Sequence, residues 1–171
     1  MNLLFILILL FIFYLDLRYR AIYWFIFPLL LVLILTMVIQ QKPVDLLFLD
    51  AAANFVFLLL QIFILTVYFS IKEQKWVNIT KGLLNWGDLL FLLCIAFYMN
   101  PSQYVLFYVL SLILSLLLSL GILIFKKSFV AKIPLAGFQA LFLAVVVIFK
   151  EVWAATAIEG FQKWLFLIWR R

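Results

Sequence analysis

Seven acids are scattered through a chain that is 70% hydrophobic, and two of them, Asp16 and Asp88, fall where water should not reach. An ionisable side chain inside an apolar span is expensive and marks a functional position by default. Only 15 residues precede Asp16. As a helix they extend about 22 Å, several ångströms short of a hydrocarbon core roughly 30 Å thick. The apolar run after Asp88, LLFLLCIAFYM, ends at Asn100 and Pro101 and would reach only about 17 Å, so its span has to begin earlier. A start near Gly82 gives about 27 Å and leaves Asp88 about 9 Å inside the boundary. Both carboxylates are then expected at one depth, in one leaflet, on different helices.

Two carboxylates that close in a low dielectric cannot both ionise cheaply, so one keeps a proton while the other stays charged. Such a pair can split water. The ionised partner takes a proton from a water held between them, the water attacks a carbonyl, and the protonated partner stabilises the oxygen on which charge develops. That chemistry needs no metal, cofactor or nucleophilic side chain. The chain has no histidine and a single cysteine, Cys94, which removes most zinc sites, Ser-His and Cys-His catalysis, and haem ligation by histidine. The plainer alternatives are a headgroup-level Asp16 paired with Arg18 and Arg20, and an Asp88 that serves only as a first-turn acid facing the exposed donors of its helix.

The elements that must position this pair are apolar runs between polar punctuation. The 171 residues include 19% aromatic and 12% charged side chains, a balance no water-soluble fold could bury. The expected fold is all-α: one polytopic membrane domain over 1–171, with six spans near 1–17, 22–39, 46–71, 82–99, 103–125 and 134–149. The first residues lack a basic n-region and a small-residue cleavage site, and read as a mature first span. The tail 150–171, with Trp153, Trp164 and Trp169 among charges, reads as an amphipathic helix lying in the interface. The net charge of +6 comes in small groups between apolar runs, which is a topology signal and not a nucleic-acid surface. Arg18, Arg20, Lys72, Lys75, Lys81, Lys126, Lys127 and Lys132 fall on one side, against Lys42 on the other before the tail. This places the former side in the cytoplasm and the N-terminus outside.

Local sequence adds a resemblance. YLDLRYRAI at 14–22 resembles the segment around the first catalytic aspartate of type IV prepilin peptidases, and NWGD at 85–88 looks like the GxGD motif that carries their second. KIPLAGFQALFLAVVV at 132–147 is similar to the Ile-Pro-rich opening of the family's last core span. The pattern departs at Asn85, where the motif has its first glycine, at Leu89 to Phe91, where a lysine usually follows, and at Tyr23 and Trp24, where a Pro-Asn pair is common. The resemblance implies a minimal intramembrane aspartic endopeptidase, with Asp16 and Asp88 as catalytic residues and Gly87 supporting. Gly87 would tolerate strained backbone and allow a substrate strand to approach closely. No methyltransferase activity is expected, because the cysteine-bearing insertion of the larger bacterial enzymes is missing. The substrate would be a membrane-inserted prepilin-like protein cut at the cytoplasmic face of the inner membrane. Arg18, Arg20 and Lys81 are candidate contacts for it, and the loop 71–86 is placed to receive its leader.

Other polar residues read as packing. Asp50 is expected near the outer end of its span, away from the pair. Asn54 and Gln61 are expected to bond neighbouring helices. Ser111, Ser115 and Ser119 offer a small face for close helix approach, and Cys94 behaves as a small hydrophobe. Asn78 to Thr80 fits a glycosylation signal, but on the cytoplasmic side. Two other function classes stay open: an inactive scaffold subunit of a secretion or pilus machine, favoured by Asn85 and the missing lysine, and a small proton or cation transporter whose path would continue outward near Asp50.

Overall fold

Long apolar runs leave the backbone only itself to hydrogen-bond with, and helices are the local solution. A computed structural model describes residues 2–20, 22–74, 85–126 and 135–150. Among these it contains six helices and no strand: α1 (Asn2–Tyr19), α2 (Ile26–Val38), α3 (Val44–Glu73), α4 (Trp86–Ala96), α5 (Pro101–Lys126) and α6 (Leu135–Lys150).

The helix limits follow from a few residues. Pro43 precedes α3 in extended conformation, and Pro101 opens α5, a first-turn position where its missing N–H costs nothing. Among the described residues, two non-glycines take left-handed backbone, Arg20 (φ 51) after α1 and Gln74 (φ 53) after α3, and such residues end helices. The fourth element departs from the sequence expectation of a span from about residue 82. Asn85 is extended (ψ 144) and α4 starts at Trp86, because asparagine is among the best residues for capping a helix start. Asp88 therefore stands in the first turn of α4 and not well inside a longer helix.

At its other end α4 stops at Ala96, although the apolar run continues. Phe97 and Tyr98 fold into tighter turns, their N–H groups donating to the Cys94 and Ile95 carbonyls. The buried Asn54 of α3 donates its amide to the carbonyls of Ala96 and Met99, both at 2.8 Å. Those carbonyls would otherwise be stranded away from water. Asn54 thus makes the interhelical contact expected of it, while Gln61 is half-buried.

α4 packs between α2 and α3, α3 also meets α5, and α1 lies on α2. The fully buried Phe5, Leu9, Leu30, Ile34, Phe91, Ile95, Tyr104 and Leu143 form the centre of a single apolar core. α6 joins it through Phe142, stacked on Phe107 at 5.7 Å, and Phe138, tilted against Phe13 at 6.4 Å. The α5 serines donate their hydroxyls back to the preceding turn, Ser115 to Ser111 O at 2.7 Å and Ser119 to Ser115 O at 2.6 Å. With their donors spent inside the helix, Ser111 and Ser115 present a small buried face.

Among the described residues, two helices are long and apolar enough to cross a membrane, Val44–Lys72 and Pro101–Gly121; α2, α4 and α6 are shorter apolar helices. Only 11% and 22% of the two long apolar stretches is buried, whereas the core helix of a water-soluble protein would be mostly covered. Phe48, Val56, Phe63, Leu106, Leu116 and Leu117 stand at the surface instead. The tail 151–171 and the loop residues 75–84, with Lys81 and the Asn78 to Thr80 signal, lie outside the described residues.

Candidate active site

Asp16 sits in the last turn of α1, where its carbonyl accepts the Arg20 N–H that closes the helix. Asp88 sits in the first turn of α4. Both side chains are nearly enclosed, 4% and 6% exposed, which is far from the solvated juxtamembrane position considered for Asp16. The only ion pair among the described residues is Lys42 with Asp50, so neither Arg18 nor Arg20 forms a salt bridge with Asp16. Both arginines are exposed at the end of α1. Arg18 lies over the ring of Tyr19.

What joins the two acids is the start of α6. The N–H groups in the first turn of a helix have no partner within that helix and carry the positive end of its dipole. Two consecutive ones are used here on two different carboxylates. Ala136 N–H donates to Asp88 Oδ1 at 2.7 Å and Gly137 N–H donates to Asp16 Oδ2 at 2.6 Å. Oxygens that each lie one hydrogen bond from adjacent peptide nitrogens are within about 8 Å of each other. The other Asp88 oxygen, Oδ2, accepts the Asn85 N–H at 3.1 Å. Asp88 is therefore both a first-turn acid of its own helix and one half of a buried carboxylate pair.

The close approach at α6 depends on Gly137. A Cβ built there would lie 3.0 Å from Asp16 Cβ and 3.1 Å from Asp16 Oδ2, tighter than real contacts allow without movement. Gly87 is different. No described glycine has positive φ, so the strained backbone suggested for Gly87 is not present, and a Cβ on it would meet Ile22 at an ordinary 3.5 Å. That contact nevertheless brings Ile22, the last residue of the 14–22 stretch, against the 85–88 stretch. With Ala136 and Gly137, three separated segments of sequence converge on one place.

Sequence reasoning missed Ala136 and Gly137, because a backbone amide has no residue-type signature. A glycine next to alanine in the first turn of an apolar helix, just after Pro134, was the available hint. Asp50 and Cys94 lie elsewhere. Asp50 accepts from Lys42 Nζ at 3.0 Å, and Lys42 also bonds Asn100. This cluster gathers the start of α3 and the end of α4, the opposite end of the bundle from the carboxylate pair. Cys94 is buried, its thiol 3.5 Å from the Phe27 carbonyl. No group of three or more potential metal ligands occurs among the described residues. No family model, curated protein or solved structure matches the chain, and the geometry of the site carries the functional reading.

Proposed function

We propose that the protein is an intramembrane aspartic endopeptidase with Asp16 and Asp88 as its dyad. The observation that carries this reading is the pair of adjacent α6 amides, Ala136 and Gly137, each holding one oxygen of a different buried aspartate. A single structural acid needs one partner; two acids drawn to one helix end, at the cost of their mutual repulsion, suit a chemistry that uses both. The helix N-terminus offsets that repulsion with its dipole and donors, and each carboxylate keeps lone pairs for a water between them.

In the reaction the ionised carboxylate takes a proton from this water as its oxygen bonds the scissile carbonyl carbon. The protonated carboxyl passes its proton to the carbonyl oxygen. The tetrahedral product then collapses, the C–N bond breaks and the amine leaves with a proton returned through the dyad. Since coupled carboxylates titrate as a pair, neither is assigned as the base.

The rest of the reading follows the same resemblance. We take all six helices as spans, with the dyad end, marked by Arg18, Arg20 and Lys72, in the cytoplasm and the Lys42 end outside. The substrate is a prepilin-like membrane helix whose leader is cut at the cytoplasmic face, its scissile bond locally unwound. Ion pairing of Asp50 with Lys42, remote from the dyad, favours this reading over a transporter with a continuous acid path. The test is leader cleavage of a panel of prepilin-like substrates by purified protein in nanodiscs, beside Asp16→Asn and Asp88→Asn. Each single variant should lose at least about 100-fold in rate while folding as the wild type does. A wild-type protein that cleaves nothing would shift the reading to a scaffold subunit.

A further inference from the structure

Of the six buried polar or charged side chains among the described residues, five make at least one hydrogen bond. The exception is Gln139, fully enclosed in α6, whose carboxamide oxygen and nitrogen both lack a partner among the described residues. An amide can make up to four hydrogen bonds, and leaving it bare in an apolar interior is strongly unfavourable. A leucine of similar size would avoid that cost entirely. A glutamine at this place therefore points to something it binds.

Its position says what. Residues three apart share a helix face, so Gln139 lies on the same side of α6 as Ala136, the residue whose N–H holds Asp88. Helical side chains lean toward the N-terminus and cover the preceding turn, which carries the Gln139 carboxamide back over Ala136 toward the dyad. Two of its neighbours on α6 are small. Ala136 and Ala140 flank Gln139 on α6, and both are fully buried. α5 begins beside the end of α4, where Tyr104 OH donates to Leu92 O, and α6 begins beside the start of α4, so the two helices run antiparallel. From the stacked Phe107 and Phe142 pair, one turn toward the dyad brings the buried Ser111 roughly level with Gln139. A buried water needs two to four polar partners and room for itself. The Gln139 carboxamide and the Asp88 carboxylate supply two such partners.

Resting on the protease reading above, we infer that Gln139 is a positioning residue, which holds a buried water against Asp88 at the head of α6. Its carboxamide NH₂ donates to the water oxygen, and the water donates to the carboxylate. This fixes the direction in which Asp88 presents its remaining lone pair to the reacting water. Gln139 itself touches neither substrate nor the reacting atoms.

The test combines a structure at a resolution that shows ordered water with cleavage kinetics, for the wild type and for Gln139→Leu. A water within hydrogen-bond distance of both the carboxamide and an Asp88 oxygen is expected in the wild type and not in the variant. In kinetics, kcat should fall about 100-fold with KM unchanged, as loss of positioning requires, while a purely structural glutamine would leave kcat unchanged once the protein is folded. Gln139→Met, an unbranched apolar replacement, serves if the leucine variant misfolds. A Gln139 carboxamide bonded directly to protein with no water, or a leucine variant of unchanged kcat, overturns the inference. A wild-type protein that cleaves nothing overturns the protease reading alone, and the presence of the water is then decided by the map.

Discussion

At the scale of single residues, the site turns on whether α6 can come close enough for its amides to reach α1. Gly137→Ala places a methyl 3.0 Å from Asp16 Cβ, in a junction of backbone and a short side chain that has little freedom to give. Overpacking of this kind typically costs about 1 to 3 kcal/mol. The Gly137 amide should withdraw from Asp16, so cleavage should fall far more than the unfolding midpoint in detergent does. Gly87→Ala is the contrasting substitution, since its Cβ would rest at normal distance from Ile22. Thermal unfolding of that variant should stay within about 0.5 kcal/mol of wild type. If its cleavage rate nevertheless collapses, the role of Gly87 is to admit substrate and not to shape the fold.

At the scale of the elements, α4 is a short helix held at both ends by asparagines. Asn85 caps its start and leaves an N–H for Asp88 Oδ2, while Asn54 ties down the carbonyls beyond its end. Replacing Asn54 with leucine strands two buried carbonyls, and the expected loss is about 1 to 2 kcal/mol in reversible unfolding from mixed micelles. Because Asn54 and the dyad are at opposite ends of α4, kcat of the folded variant should change little. Asn85→Gly restores the first glycine of the GxGD pattern. Glycine at a helix start costs only a few tenths of a kcal/mol relative to asparagine, so this variant should fold and keep its Asp88 contact, which uses a backbone N–H. Equal activity in both would mean that this departure from the pattern is a substitution of one capping residue by another.

At the scale of the whole molecule, the bundle has two polar ends and an apolar waist. One end carries the buried dyad with exposed Arg18 and Arg20; the other carries Lys42, Asp50 and Asn100 in one hydrogen-bonded cluster. The proposed topology, from the positive-inside rule, puts the first end in the cytoplasm. Gln41 and Gln74 are exposed at opposite ends of α3, and Cys94, enclosed in the core, can be replaced by alanine to remove the background thiol. A membrane-impermeant maleimide added to whole cells should then label Gln41→Cys and spare Gln74→Cys, which should react only after the membrane is opened. The reverse pattern would put the dyad on the wrong face for leader removal in the cytoplasm.

How much of this was legible beforehand differs between levels for physical reasons. Helix content and the approximate runs follow from apolar stretches interrupted by Pro43, Asn100 and Pro101, because a chain that cannot hydrogen-bond to its surroundings must satisfy its backbone locally. Run lengths suggested that Asp16 and Asp88 would sit away from water, and both side chains are nearly enclosed, but for Asp88 the enclosure comes from packing around the first turn of α4 and not from the longer span that was counted. The start of α4 could not be counted in the same way: hydropathy carried the run back to about residue 82, while the capping geometry of Asn85 set the boundary. Nor could sequence reveal that two consecutive amides of α6 would bind the two acids, that Gly137 is the point of closest approach, or that Gln139 would be enclosed without a partner. Apolarity, length and charge are properties each segment carries by itself, and the sequence determined those. Which donor meets which acceptor depends on helices packed from distant parts of the chain, and only the tertiary structure decided it.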